Sequence, residues 1–410
     1  MATESAQPAF KPSRNLEHLK PSATIAVSLE AQRRKAAGED VIDLSAGEPD
    51  FDTPRIPAEA GIKAIQQGMT HYPANPGILE LRAAAARHLS LLSGGRSVNA
   101  DHIVVSTGAK QCLFNACFAL FGPGDRVLIP SPAWVSYPHM VHFARATPVL
   151  VPGDVEWSLK VGVEDLEKAS DQRAAGLILC SPVNPTGAVY TRAELKAILE
   201  WARQRELWVI TDEVYRRIHY GSGPAPSALD QPDELLDRVV IVTGVSKTYA
   251  MTGWRIGFTV APLPVAKAMA AIQSHVTSGA SHPAQWAAAT ALSDERVEAD
   301  VTRMVEAFRH RRDFVVSYFR ERLPGVEFVE PLGAFYFFFR VDGFFSEKLS
   351  GATDYCGRLL AEQGVALVPG EAFGDHRWVR LSYAASEKDL EQAVARIAEF
   401  ARSLETVGGK

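Results

Sequence analysis

The amino-acid sequence predicts an α/β fold, in which helices cover a mostly parallel sheet and a second, smaller α+β domain follows. Two features of the pattern predict it. From about residue 100, short apolar runs typical of strands alternate with helical patterns, and after Pro283 long helices predominate. The size also agrees, because 410 residues with 47% hydrophobic content can build two or three domains.

The first part of the pattern contains apolar, β-rich runs that predict successive strands. They lie at residues 102–105, 126–130, 176–180, 207–211, 238–242 and 255–260. Helices are predicted from Lys110, over residues 135–143 and over residues 193–205. In a parallel sheet built this way, ligands bind beyond the carboxyl ends of the strands, so the functional residues are expected there.

The second part of the pattern predicts long helices with a few strands. The helices lie at residues 297–322, at residues 353–363 and from Lys388 onward, and the strands at residues 326–329, 334–340 and 379–382. The aromatic run Phe335 to Phe339 is interpreted as a core strand rather than a substrate pocket. No internal repeat or long linker marks the boundary, so the first 45 or so residues can pack with either part.

Composition favours small-molecule chemistry. The net charge of -5 provides no basic field for a nucleic acid or an anionic membrane. No run resembles a signal peptide or spans a bilayer, so we expect a cytoplasmic protein. Four cysteines lack disulfide or zinc spacing, and His139 with His142 lacks a recognisable third ligand, so no metal site is expected.

Lys247 carries the most informative motif. It follows the strand predicted at residues 238–242, within the sequence S-K-T-Y-A-M-T-G-W-R-I-G of residues 246–257. A lysine amine at a strand end can form an imine with a carbonyl compound, while the Ser246 hydroxyl and the Arg255 guanidinium can hold a phosphate.

Three further strand ends carry polar residues. Asn184 lies in the turn S-P-V-N-P-T-G, and Asp212 begins D-E-V-Y. Gly108, Ala109 and Lys110 form a strand-to-helix turn whose free N–H groups favour an anion. Alone, each segment could be a simple turn or helix cap, and their combination is what indicates a site.

These segments, in this order, resemble the class I aminotransferases of pyridoxal-phosphate (PLP) fold type I, and within them the bacterial aspartate aminotransferase branch. The likeness spans nearly the whole chain, from K-P-S-A-T at residues 20–24 to R-L-S-Y-A at residues 380–384. It implies a large domain over residues 48–290 with a mostly parallel seven-stranded sheet. The small α+β domain is then built from both termini, residues 1–47 and 291–410.

The resemblance also implies a cofactor, PLP, and the residues that bind it. Lys247 forms the Schiff base (the aldimine), Asp212 keeps the pyridine nitrogen protonated, and Tyr215 completes the catalytic set. The implied cofactor-binding residues are Tyr72, Gly108, Ala109, Lys110, Trp134, Asn184, Asp212, Tyr215, Ser246, Lys247 and Arg255. Tyr72 would reach the phosphate of a partner subunit, which implies a homodimer with shared active sites. Ala109 departs from the family's usual Gly-Gly-Lys.

The implied reaction is ping-pong transamination between an L-amino acid and a 2-oxo acid. The implied substrate-binding residues are Ser22, Thr24, Gly47, Lys110, Trp134, Asn184 and Arg380. Arg380 would clamp the α-carboxylate, and Lys110 with Ser22 and Thr24 would favour aspartate and glutamate with 2-oxoglutarate and oxaloacetate. Lys110 could instead be a surface cation. Other readings are aromatic or prephenate specificity, a PLP-dependent β-lyase and a non-enzymatic PLP-binding sensor.

Overall fold

A computed structural model describes residues 11–19 and 21–408. Residues 1–10, Lys20 and residues 409–410, which the sequence assigns to the small domain, lie outside the described residues. The helices are α1 (Ala23–Ala36), α2 (Arg55–Gln66), α3 (Leu79–Leu92), α4 (Gly108–Leu120), α5 (Ser136–Phe143), α6 (Val163–Ala169), α7 (Arg192–Gln204), α8 (Leu263–Val276), α9 (His282–Ser293), α10 (Glu298–Arg322), α11 (Ala352–Gln363) and α12 (Glu387–Gly408). The strands are β1 (Ile42–Asp43), β2 (Ile103–Thr107), β3 (Arg126–Ser131), β4 (Thr147–Pro152), β5 (Ala174–Cys180), β6 (Trp208–Asp212), β7 (Val239–Gly244), β8 (Ile256–Val260), β9 (Phe328–Val329), β10 (Tyr336–Arg340), β11 (Val365–Ala366), β12 (Val368–Pro369) and β13 (Trp378–Ser382).

A seven-stranded, mostly parallel sheet forms the centre of the molecule. Its order is β2-β8-β7-β6-β5-β3-β4, and β8 runs antiparallel to both of its neighbours. The α/β fold class and the seven strands are therefore confirmed. The pattern of apolar runs missed β4, because this edge strand contains Pro148 and Pro152 and is only partly buried.

Both faces of this sheet are covered, as its side-chain alternation requires. On β5, Leu177 and Leu179 face one hydrophobic core, whereas Ile178 faces the other. On β6, Val209 and Ile210 divide in the same way. Strands buried on two faces read as continuous apolar runs, which is why the sequence reveals them.

A smaller antiparallel sheet, of order β12-β13-β10-β9, is built from the C-terminal part of the chain. On β10, Phe337 and Phe339 pack on Phe319 of α10, with ring centroids 4.6 and 5.0 Å away. The N-terminal strand β1 pairs in parallel with β11, so both ends of the chain meet here. The domain boundaries at residues 48 and 290 stay a prediction.

The fold gathers the predicted strand-end residues at one edge. Strands β5, β6 and β7 run in parallel, so Asn184, Asp212 and Lys247 all follow or end their strands on the same side. Strand β8 runs the other way, and Arg255, directly before it, therefore reaches the same edge. Across the described ranges, no helix combines the length and apolar character needed to cross a bilayer.

Candidate active site

A cavity of about 560 Å³ opens at this edge, between the large sheet, α1 and the smaller sheet. Most residues that the sequence predicts for the site line it. They are Thr24, Gly47, Ala109, Lys110, Trp134, Asn184, Asp212, Tyr215, Ser246, Lys247, Arg255 and Arg380. The structure thus brings together residues that lie more than 350 positions apart in the sequence.

Three predicted residues lie outside the lining of the cavity. Gly108 starts α4 directly behind the Arg255 guanidinium. The Ser22 hydroxyl lies 2.8 Å from the Thr24 hydroxyl. Tyr72 is 89% exposed and lines a separate depression, formed by residues 70–73 and 277–283. Tyr72 therefore does not contribute to the cavity of its own chain.

Lys247 follows β7 and points its amine into the cavity. Its Nζ donates a hydrogen bond to the Gly47 carbonyl oxygen at 2.5 Å. Burial lowers the pKa of Lys247 to about 8, although the Glu48 carboxylate works against this effect. The amine therefore loses its proton far more easily than an ordinary lysine, as a nucleophile or base requires.

Asp212 is the last residue of β6 and is almost completely buried. Its carboxylate accepts hydrogen bonds from the Tyr137 hydroxyl at 2.7 Å and from the Val214 backbone N–H at 3.3 Å. Burial raises the pKa of Asp212 to about 6. A buried carboxylate with few donors favours a cationic ligand, because a nearby positive charge stabilises its ionised form.

Sequence reasoning missed Tyr137. It lies in α5, three positions after Trp134, and the two rings meet edge to face with centroids 5.3 Å apart. The i, i+3 spacing from the predicted Trp134 was the available signal, since Trp134 lies in the turn that leads into α5 and its carbonyl oxygen accepts from the Tyr137 N–H at 3.1 Å. Its contact with Asp212 depends on the tertiary fold.

Arg255 and the start of α4 form a cationic corner. The backbone of Arg255 adopts a left-handed conformation (φ 57°), and its Nη1 donates to the Thr252 carbonyl oxygen at 2.8 Å. Lys110 lies nearby with its Nζ 4.9 Å from the centre of a Trp134 ring, and burial lowers the pKa of Lys110. Free N–H groups at the start of a helix together with cations favour an anion such as a phosphate.

Arg380, on β13, is a buried cation. Its Nη1 donates to Asn184 Oδ1 at 3.0 Å and its Nη2 to the Ser45 carbonyl oxygen at 2.8 Å. Within the described part of the chain, its Nε has no hydrogen-bond partner and no carboxylate forms an ion pair with it. A buried guanidinium in this state is complementary to the carboxylate of a ligand.

Tyr215 meets a second residue that the sequence did not assign to the site. Its hydroxyl lies 2.8 Å from the hydroxyl of Tyr336, which also lines the cavity. Phe335, Phe337 and Phe339 pack in the hydrophobic core, as the sequence suggests for this strand. All four side chains are buried, and Tyr336 differs from the three phenylalanines because it lines the cavity.

The cavity therefore combines an easily deprotonated amine, a buried carboxylate, an anion-binding corner and a buried guanidinium. Among residues 11–19 and 21–408, no group of three His, Cys, Asp or Glu side chains could hold a metal ion. Such a donor set suits a ligand with a carbonyl group, a basic ring nitrogen and a phosphate, and a substrate with a carboxylate.

Comparisons with known proteins identify the family. Residues 39–397 match the family described as aminotransferase class I and II. The bifunctional aspartate aminotransferase and glutamate/aspartate-prephenate aminotransferase of Petunia hybrida is 44% identical, over 92% of this chain and 80% of that protein. A probable aspartate/prephenate aminotransferase of Rhizobium leguminosarum is 43% identical, over 94% and 97%. The structure of Thermus thermophilus aspartate aminotransferase with maleate has a TM-score of 0.90 and 38% identity, covering 96% of this chain and all of that one. The chain belongs to the class I and class II aminotransferases.

Proposed function

We propose that this aminotransferase moves the amino group between aspartate or glutamate and 2-oxoglutarate or oxaloacetate, with PLP as its cofactor. The observation that carries the proposal is one cavity holding the Lys247 amine, the buried Asp212 carboxylate and the Arg380 guanidinium without an anionic partner.

The residues present fit PLP. Asp212 would face the pyridine nitrogen, Lys247 would bond to the aldehyde carbon, and Ser246, Arg255 and the start of α4 would hold the phosphate. A Cβ at Gly108 would clash with the Arg255 guanidinium, so glycine there leaves the anion-binding corner open. When bound, PLP supplies an electron-withdrawing ring that stabilises negative charge on the substrate's α carbon.

The chain's own residues then orient the substrate and move the proton. Once the substrate amine had displaced it from the aldehyde carbon, Lys247 Nζ, whose pKa in the protein without ligand is about 8, would take the proton from the α carbon and deliver it to that former aldehyde carbon. Asp212 would keep the ring nitrogen positively charged, while Asn184 and Tyr215 would donate hydrogen bonds to the phenolic oxygen. Trp134, which lines the cavity, would cover the ring face. The first product leaves before the second substrate binds, which gives ping-pong kinetics.

Two groups of residues would recognise a dicarboxylic substrate. Arg380 would bind the α-carboxylate in a two-pronged contact, with the Gly47 backbone beside it. Lys110, with Thr24 and its neighbour Ser22, would bind the distal carboxylate. Burial and the nearby Arg255 charge both lower the pKa of Lys110, and an anion entering this corner would stabilise the charged form of Lys110 while it also meets Arg255.

Prephenate is a second candidate substrate, since relatives from Petunia hybrida and Rhizobium leguminosarum carry it in their names. Ile25 and Leu29 of α1 line the cavity and are 57% and 59% exposed. Their apolar side chains provide a surface on which a six-membered carbon ring can pack, while Lys110 remains available for a second carboxylate.

We also propose that the active unit is a homodimer. Tyr72 lies outside the cavity of its own chain and is almost fully exposed, as expected for a residue that serves a partner's site. Ile62 and Ile65 of α2 are also more than half exposed. Exposed apolar side chains in this number are suited to burial between two copies of the chain.

An absorption spectrum of the purified protein with PLP, taken before and after adding aspartate, tests the function. We expect a long-wavelength cofactor band that bleaches with aspartate and is absent from Lys247→Ala. A band indifferent to aspartate and glutamate would overturn the dicarboxylate specificity, and no band would overturn the cofactor. Release of ammonia and pyruvate from an amino acid with a leaving group on its β carbon would indicate a β-lyase instead, and amination of prephenate would support the second substrate.

A further inference from the structure

Tyr336 lies between two groups of the proposed site. It starts β10, is fully buried and contributes to the wall of the cavity. Its hydroxyl is 2.8 Å from the Tyr215 hydroxyl, and the guanidinium carbon of Arg380 lies 4.3 Å from the centre of its ring. One side chain thus contacts both the tyrosine and the arginine of the site.

Either hydroxyl of this pair can donate to the other, and the surroundings favour one of the two directions. Burial raises the pKa of both Tyr215 and Tyr336, so both hydroxyls keep their protons. Of two phenols, the more acidic is the better donor, and Tyr336 has the Arg380 cation against its ring. The Arg380 contact thus favours the arrangement in which Tyr336 donates to Tyr215, and in that arrangement the proton of Tyr215 is free to point into the cavity. A donor that itself accepts a hydrogen bond is also a stronger donor.

The ring has a separate effect, on Arg380. Asn184 and Ser45 hold two corners of the guanidinium plane. The face of the Tyr336 ring supports the guanidinium from one side, and Phe373 lies 5.1 Å from the same guanidinium carbon. Cation–π contacts of this kind are strongest when the partners are shielded from water, as they are here.

We propose that Tyr336 is a positioning residue with two separable effects. Its hydroxyl orients Tyr215 toward the cofactor, and its ring keeps Arg380 in place for the substrate's carboxylate. The inference rests on the proposed function, because it takes Tyr215 and Arg380 to act on cofactor and substrate. It adds that the hydroxyl of Tyr336 acts through Tyr215 on the cofactor, whereas its ring acts through Arg380 on the substrate.

Two substitutions separate the effect of the Tyr336 hydroxyl from the effect of its ring. Tyr336→Phe removes the hydroxyl and keeps the ring, whereas Tyr336→Met removes both and fills much of the space. Tyr355→Phe is a matched control, because Tyr355 is a fully buried tyrosine whose hydroxyl has no partner in the described part of the chain. The measurements on the PLP-loaded protein are the pH midpoint of the cofactor's absorption change and the dissociation constant of succinate, a dicarboxylate without an amino group.

A hydrogen bond donated to the cofactor's phenolic oxygen disperses its negative charge and loosens the proton held beside it. We therefore expect Tyr336→Phe to raise the pH midpoint by roughly half a unit or more while succinate binding changes less than about twofold. Tyr336→Met should raise the midpoint and also weaken succinate binding by roughly tenfold. Tyr355→Phe should change neither quantity.

An unchanged midpoint in Tyr336→Phe would overturn the proposal, and this variant decides the hydroxyl effect even where Tyr336→Met fails to fold. Succinate binding that is equally weakened in both variants would overturn the separation into two effects. If the unsubstituted protein shows no cofactor band and no succinate binding, the proposed function itself fails. If it shows both and the variants match it, only the role of Tyr336 fails.

Discussion

Burial moves the pKa values of the two central titratable residues toward each other. The pKa of Lys247 falls to about 8 because its ammonium form is poorly solvated. The pKa of Asp212 rises to about 6 because its carboxylate form is poorly solvated. Both shifts favour the neutral form in the protein without ligand. In a ligand with both groups, a cationic ring nitrogen would offset the desolvation cost of ionising Asp212, and a reactive carbonyl group would react with the neutral amine of Lys247.

Asp212→Asn should stabilise the protein without PLP. The folded-state pKa of Asp212 is above its unfolded value. Its contribution to the free energy of unfolding is therefore fully present below about pH 4 and is lost as the pH rises through about 6. The substitution removes this loss and should raise the free energy of unfolding by up to about 3 kcal/mol at pH 7. Urea unfolding between pH 4 and 8 measures the effect. A difference between variant and parent that does not change across this range would contradict the assignment.

Tyr137→Phe should weaken PLP binding. The Tyr137 hydroxyl donates to Asp212 and helps to keep its carboxylate ionised, so its loss raises the pKa of Asp212 further. A hydrogen bond to a charged group corresponds to roughly tenfold in affinity or more. Titration of the apoprotein with PLP at pH 8 and pH 6 should show the larger loss at pH 6. Tyr355→Phe again serves as the control, and equal losses in the two variants would mean that Tyr137 acts only through packing.

At the scale of elements, the turn from β2 into α4 is the most constrained part of the site. Gly108 has a φ of 78°, in the left-handed region that favours glycine, and its hydrogen faces the Arg255 guanidinium. Arg255 itself has a positive φ at the start of β8, the strand paired with β2. Of these two adjoining strand ends, the one at Arg255 holds a non-glycine residue in a left-handed conformation where the phosphate is proposed to bind, a placement typical of ligand sites.

Gly108→Ala should displace Arg255 and weaken PLP binding by roughly tenfold or more, because the added Cβ meets the guanidinium and strains the backbone. Ala109→Gly is the neighbouring control and restores the family's usual Gly-Gly-Lys sequence. We expect it to bind PLP within about threefold of the parent, the helix cost of glycine falling mainly on stability. Equilibrium titration with PLP measures both. Normal binding by Gly108→Ala would show that the turn tolerates a side chain.

At the scale of the whole molecule, Tyr72 makes the proposed dimer testable. If Tyr72 serves the partner's site, a dimer of one Lys247→Ala subunit and one Tyr72→Ala subunit contains one site with both residues intact. Refolding a mixture of the two impaired variants should therefore recover about a quarter of the parent's activity, since half the dimers are mixed and each has one complete site. Each variant refolded alone is the control. No recovery in a mixture that sedimentation shows to be dimeric would mean that Tyr72 acts within its own chain.

Local sequence determined much of this protein. Strands buried on two faces appear as continuous apolar runs, and the turn residues after them set the positions of Asn184, Asp212 and Lys247. The same logic fails at β4, whose prolines are tolerated because it is an edge strand. Motifs confined to one strand end could therefore be recognised from the sequence, because consecutive residues determine both their conformation and their chemistry.

Only the tertiary structure decided which distant side chains meet. Tyr137 reaches Asp212 from a helix 75 positions away, and Tyr336 reaches Tyr215 across 121 positions. Their local sequences predict a helix and a core strand, and apart from the spacing of Tyr137 from Trp134 nothing in them distinguishes a tyrosine in the cavity wall from one in the core. Tyr72 lies outside the cavity of its own chain for the same reason, because contacts between separate elements follow from packing and not from local pattern.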